Sequence, residues 1–174
     1  MITNIAQQYI SRIDQAAAAA ALEALSAQMD EKDVRSGGVL SVIVEGITVE
    51  SSAVAVSIGT FPREKVLRYA FNAHEKPRRV SARMNSNPGL NIATASESAA
   101  PEIGQYGGSV AFTGPDGAFR VFVSFSCAQP EADEAFCYGL GVKLGLKAPT
   151  ISIAMMQSAL TIIDLHKVVL PLAA

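Results

Sequence analysis

The chain has 174 residues, 49% of them hydrophobic and 17% charged, with a net charge of −2. This composition suits one domain with a substantial core and excludes a disordered chain. No basic excess recommends nucleic acid or an anionic membrane, and the absence of Trp argues against a stacking surface for single strands. Two cysteines, Cys127 and Cys137, are too few for a disulfide scaffold. The opening "MITNIAQQYISRIDQ" has neither a basic n-region nor an apolar h-region, so a cytoplasmic location is expected.

In chain order, residues 4–31 read as one helix. The stretch "DQAAAAAALEALSAQMDE" has high intrinsic propensity, and Ile5, Ile13, Leu22, Leu25 and Met29 form a partial apolar stripe. Ser36-Gly37-Gly38 punctuates its end. Val- and Ile-rich runs predict strands over about 39–45 and 53–58. Pro62 then marks a helix start, and Val66, Leu67, Ala70, Phe71 and Ala73 continue at helical spacing until Pro77 limits the helix. Residues 78–104 mix Ser, Asn, Pro and Gly, which is loop chemistry with room for one short helix.

"GGSVAFTGPDGAFRVFVSFS" predicts a β-hairpin turning at Pro115-Asp116-Gly117. In its second strand Phe119, Val121, Val123 and Phe125 share one face. Arg120, Phe122, Ser124 and Ser126 share the other, a mixed surface suited to a covering helix or a neighbouring subunit. A helix follows from Pro130 to about Leu146. From about 147 an apolar extension, interrupted by Gln157 and Ser158, is short for a membrane span and reads as a buried or subunit-facing element. With no repeat or linker, residues 1–174 are expected to form a single α+β domain, a mainly antiparallel sheet with helices packed on it.

The candidate chemistry centres on residues 124–136, "SFSCAQPEADEAF". Pro130 fits the first helical position, and Glu131, Asp133 and Glu134 complement the positive end of the helix dipole. A helix start explains all three acids. An exposed one supplies neither the raised pKa nor the cleft that an acid/base pair needs. Cys127 stands one step before it, where a thiol can become nucleophilic, but only His74 and His166 could serve as its base. The candidate catalytic groups are therefore Cys127 and Glu131, with a buried, inert Cys127 as the alternative. The two separated histidines give no zinc signature, although either could ligate haem iron. Gly107-Gly108 leads into a strand, unlike a phosphate loop, and suits a tight turn or close backbone approach to a ligand. "KPRR" with Arg83 reads as a solvated loop able to hold a carboxylate.

The segment from Gly107 to Leu146 resembles the closing part of the GlcG/HbpS-like family, the so-called haem-degrading domain family. The shared features are Gly107-Gly108 before a strand, the Asp116-Gly117 turn, a strand ending at Ser126, and the helix start "QPEADE". The upstream order of Ala-rich helix, Val-rich strands and "VLRYAFNAHEKPRR" also agrees. The chain departs from the pattern at Tyr69 and Asn72, where the family commonly has Lys and Thr, and at Cys127, where a smaller residue is usual. The resemblance implies a profilin-like sandwich that assembles into homo-oligomers, some members of which bind haem. The expected function is that of an oligomeric small-ligand-binding protein. Its ligand would be haem, a related tetrapyrrole or a small carboxylate, bound near Asn72, His74, Arg79, Tyr106, Gly107, Gly108 and Cys127. The alternative is a small catabolic lyase or isomerase acting on an organic carboxylate. Haem is the candidate cofactor, and no metal site, nucleic-acid partner or membrane partner is expected.

Overall fold

The computed structural model describes residues 5–29, 32, 34–46, 51–88 and 93–149. The apolar extension beyond 149, with His166, lies outside the described residues. The fold is α+β, with four antiparallel strands and four α-helices among the described residues. Strands β1 (Gly37–Gly46), β2 (Ser51–Gly59), β3 (Ser109–Thr113) and β4 (Phe119–Ser126) form one sheet in the order β2-β1-β4-β3. Helices α1 (Ile5–Ser11), α2 (Gln15–Met29) and α4 (Pro130–Lys143) pack on one face, and α3 (Val66–Ser86) covers the other.

Strand alternation explains the two layers. Leu40, Val42, Val44, Val121, Val123 and Phe125 point to the α1–α2–α4 side, where they meet Leu22, Leu25, Phe136 and Leu140 in the main core. Ile43 and Phe122 point the other way and pack against Val80 of α3. The mixed face expected on β4 is thus covered by a helix of the same chain. Ser41, Ser124 and Ser109 stand side by side across β1, β4 and β3 on this α3 side, all fully buried.

Two expectations require correction. The first helical segment is two helices, because the Asp14 carboxylate accepts a hydrogen bond from the Ala17 N–H at 2.9 Å and starts α2 afresh. Arg12, at the joint, donates to the Leu144 carbonyl at 3.0 Å and ties it to the end of α4. The helix after Pro62 does not stop at Pro77 either. A 3-10 turn over Arg63–Lys65 leads into α3, which runs through Pro77 to Ser86. An interior proline costs about 3 kcal/mol. Burial of Val80 against Ile43, Ala111 and Phe122, with Met84 alongside, offsets that cost.

The segment after α3 contains two short 3-10 turns, Ser96–Ser98 and Pro101–Ile103. The β3–β4 hairpin closes with Gly117 at φ +75° and the Asp116 carboxylate accepting from the Ala118 N–H. Isolated bridges Thr94–Val110 and Thr113–Lys147 shield the outer edge of β3. None of the described helices is long and apolar enough to cross a membrane.

Candidate functional site

The β4–α4 junction is where the chemistry collects. Its acids do not form an exposed helix start. Glu131 is exposed, whereas Asp133 and Glu134 are 2% and 5% exposed. The Asp133 carboxylate turns back over its own helix start and accepts from the Ala128 N–H at 3.0 Å and the Cys127 N–H at 3.4 Å. It also pairs with Lys76, whose Nζ stands 3.2 Å from Oδ2. Lys76, 1% exposed, reaches down from α3 and donates to the Phe125 carbonyl at 2.6 Å as well. One buried ion pair therefore fastens α3 to the junction. Burial pushes the Asp133 carboxyl up, to about 6, against the opposing pull of Lys76 and the two backbone N–H groups.

Glu134 fastens a different segment. Its Oε1 accepts from the Ser96 N–H at 2.7 Å and the Gly108 N–H at 3.2 Å, and burial raises its pKa. Gly108 is required here. At φ +105°, a Cβ on it would lie 2.6 Å from Asp133 Cβ, 2.7 Å from Lys76 Nζ and 2.9 Å from the Phe125 carbonyl oxygen. Gly107 is similarly tight against Ser96 and Pro130. The glycine pair thus permits close approach of the backbone to the ion pair.

A cavity of about 270 Å³ opens beside the pair. From α3 it is lined by Tyr69, Asn72 and Lys76, with Lys65 and Arg68 toward the start of the helix. Tyr106, Ser126, Cys127 and Asp133 face them. These α3 positions follow one helical face. Lys76 is buried at its floor, while Arg68 is exposed at its rim. An ammonium carries three N–H donors, and two of them are used by Phe125 and Asp133, so the third has no hydrogen-bond acceptor among the described residues.

The expected site residues divide. Asn72, Tyr106 and Cys127 share this cavity. His74 does not, because it lines a separate depression with Phe71, Arg78 and Arg79, and burial lowers its pKa. Arg79 is consumed as a staple. It pairs with Glu75 at 2.9 Å and donates to the carbonyls of Ala95, Ser98 and Tyr106, the last at 2.6 Å. It therefore positions Tyr106. Arg83 donates to the Glu97 carbonyl at 2.6 Å.

Cys127 is half-buried and packs in a small cluster with Val39, Tyr69 and Ala73. Burial, reinforced by Asp133, pushes its thiol up to about 11. It is a neutral thiol near pH 7 and not an activated nucleophile. Cys137 is fully buried in the core. The described residues contain no cluster of three or more His, Cys, Asp or Glu able to hold a metal ion.

The central groups that sequence reasoning missed are Lys76 and Asp133. One signal was available: Asp133, Phe136, Cys137 and Leu140 recur at helical spacing on one buried stripe. Comparison of the chain with protein families, with curated proteins and with solved structures finds no match.

Proposed function

We propose that the protein is a small-ligand-binding protein of the GlcG/HbpS-like type whose ligand is a small organic carboxylate. The observation that carries this reading is Lys76, a buried ammonium with a donor to spare at the floor of a cavity whose rim adds Lys65 and Arg68. Tyr69, Asn72, Tyr106 and Ser126 supply further polar contacts, the few convergent groups typical of small-molecule sites. The α+β sheet with helices on both faces is of the class that the resemblance implies. Homo-oligomerisation and a cytoplasmic location belong to the same reading.

Among the possible ligands, a small acid fits better than haem. The cavity of about 270 Å³ is at the lower limit of ligand pockets. No histidine among the described residues lines it. A catabolic enzyme using Cys127 or Glu131 is the weaker alternative, since the thiol is held protonated and Glu131 is exposed away from the cavity lining. Calorimetric titration with propionate and pyruvate, and spectroscopic titration with hemin, test the choice. Saturable binding of an acid that Lys76→Met abolishes is expected. No saturable heat with either acid removes the reading, and a hemin Soret shift that persists under saturating propionate favours a tetrapyrrole.

A further inference from the structure

The cavity floor holds one positive and one negative charge, Lys76 and Asp133, both almost completely shielded from water. A carboxylate that entered and used the free donor of Lys76 would place a second anion beside the same ammonium. Lys65 and Arg68 lie out toward the rim, and a low-dielectric floor with one buried cation does not hold two carboxylate charges cheaply, so two close carboxyl groups there share a proton. Resting on the carboxylate reading of this pocket, we propose that the ligand enters together with one proton, which Asp133 takes up as the ligand's carboxylate replaces it as counter-ion of Lys76. The proton comes from solvent and no covalent bond changes. Before binding, the floor carries Lys⁺ and Asp⁻. After binding it carries Lys⁺, ligand carboxylate and neutral Asp133, so the buried charge stays balanced.

The surrounding hydrogen bonds permit the exchange. Protonated Asp133 keeps an acceptor oxygen for the Ala128 N–H, now bonded to Oδ1. The new O–H on Oδ2 can donate to the incoming carboxylate, a short and strong type of bond. Other titratable groups face Asp133 from each packed element. Tyr69 and Lys76 come from α3, Cys127 from the junction and Cys137 from α4, where Glu134 is the next residue in the chain, and Lys65, Arg68 and Tyr106 line the same cavity. Tyr69 and both cysteines already carry their protons near pH 7, since burial raises all three. Glu134 is engaged by the N–H groups of Ser96 and Gly108 and makes no hydrogen bond to Lys76. Asp133 is thus the group that shares the ammonium. In the empty pocket it titrates at about 6, so near pH 7 it is mostly ionised and free to accept a proton.

Calorimetric titration of the full chain with propionate at pH 7, in buffers of low and high ionisation enthalpy, counts the protons. Uptake approaching one proton per ligand is expected, with Kd weakening about tenfold per pH unit as pH rises above the range where Asp133 titrates in the empty pocket. Asp133→Asn should bind with no uptake and a flat pH profile. His74→Asn should leave the uptake unchanged, and its loss in that variant overturns the assignment to Asp133. If Asp133→Asn fails to fold, the wild-type profile still decides. A pH-independent Kd without proton uptake overturns the proposal and leaves carboxylate binding standing. Absence of any propionate binding removes both.

Discussion

Replacing Lys76 with Met separates the two tasks of this residue, holding the fold and neutralising Asp133. The two side chains of the pair are 2% and 3% exposed, so solvent screening does little for either. Met fills most of the volume that the Lys stem occupies, which keeps the cavity contribution small. Removing one partner of a buried pair costs about 3–5 kcal/mol. With a urea m-value of about 2 kcal/mol/M, the midpoint should fall by about 2 M near neutral pH.

The loss should depend on pH in a definite direction. In wild type the Asp133 pKa is raised from 3.8 to about 6, so the native state binds the extra proton. Its stability contribution is fully present below pH 4 and is lost as pH rises through 6. Without Lys76 the folded pKa rises further, and the variant keeps losing stability above pH 6 at about 1.4 kcal/mol per pH unit. At pH 5 Asp133 is mostly neutral, so only the hydrogen bonds of Lys76 are forfeited, about 1.5–3 kcal/mol. The chain has no Trp, so the transition is best followed by far-UV circular dichroism at pH 5 and pH 8. An equal penalty at both values, or one below about 1 kcal/mol, would refute the buried-pair argument.

Three further outcomes follow from single features. Gly108→Ala should destabilise by about 2–4 kcal/mol through its left-handed backbone and overpacking against Asp133 and Lys76, while Gly117→Ala, at φ +75° with open space around it, should lose only about 1 kcal/mol. Equal urea shifts for the two would contradict the close approach. Asp14→Ala removes the bond to the Ala17 N–H and should cost about 1 kcal/mol, seen as a lower thermal midpoint, and an unchanged midpoint would show that α2 needs no cap. Cys127, with its thiol pushed up to about 11, should react with iodoacetamide at pH 7 roughly a hundredfold or more slowly than free cysteine. Labelling at the free-thiol rate, read by mass spectrometry, would show a thiolate that the structure does not provide.

Much of the fold is legible because its signals are local. The alternation in "FRVFVSFS" set both faces of β4, and the Pro-Asp-Gly turn located the hairpin. The four strands and the starts of α1, α3 and α4 lie within a few residues of the positions read from the sequence. What local signals conceal is a tertiary override. The alanine-rich stretch has no breaker, so the division at Asp14 rests on one side chain folding back to cap the next helix. Asp in mid-run reads as a tolerable helix residue until the cap is seen.

The candidate site was hidden by a single boundary. Ending the second helix at Pro77 turned "KPRR" into loop and made Lys76 one more solvated charge. Continue the helix, and Tyr69, Ala73, Lys76 and Val80 follow at spacings of four, three and four, a single inward stripe with a lysine in it. Three of these are ordinary core residues, which makes the lysine the anomaly: a cation on an apolar stripe needs an anion across from it. On α4 the stripe of Asp133, Phe136, Cys137 and Leu140 carries one acid in the same anomalous position. α4 buries a second acid, Glu134, but the backbone N–H groups of Ser96 and Gly108 satisfy it, which leaves Asp133 to pair with the lysine of α3. The register of the sheet between them then decides where they meet, beneath Phe125 at the end of β4.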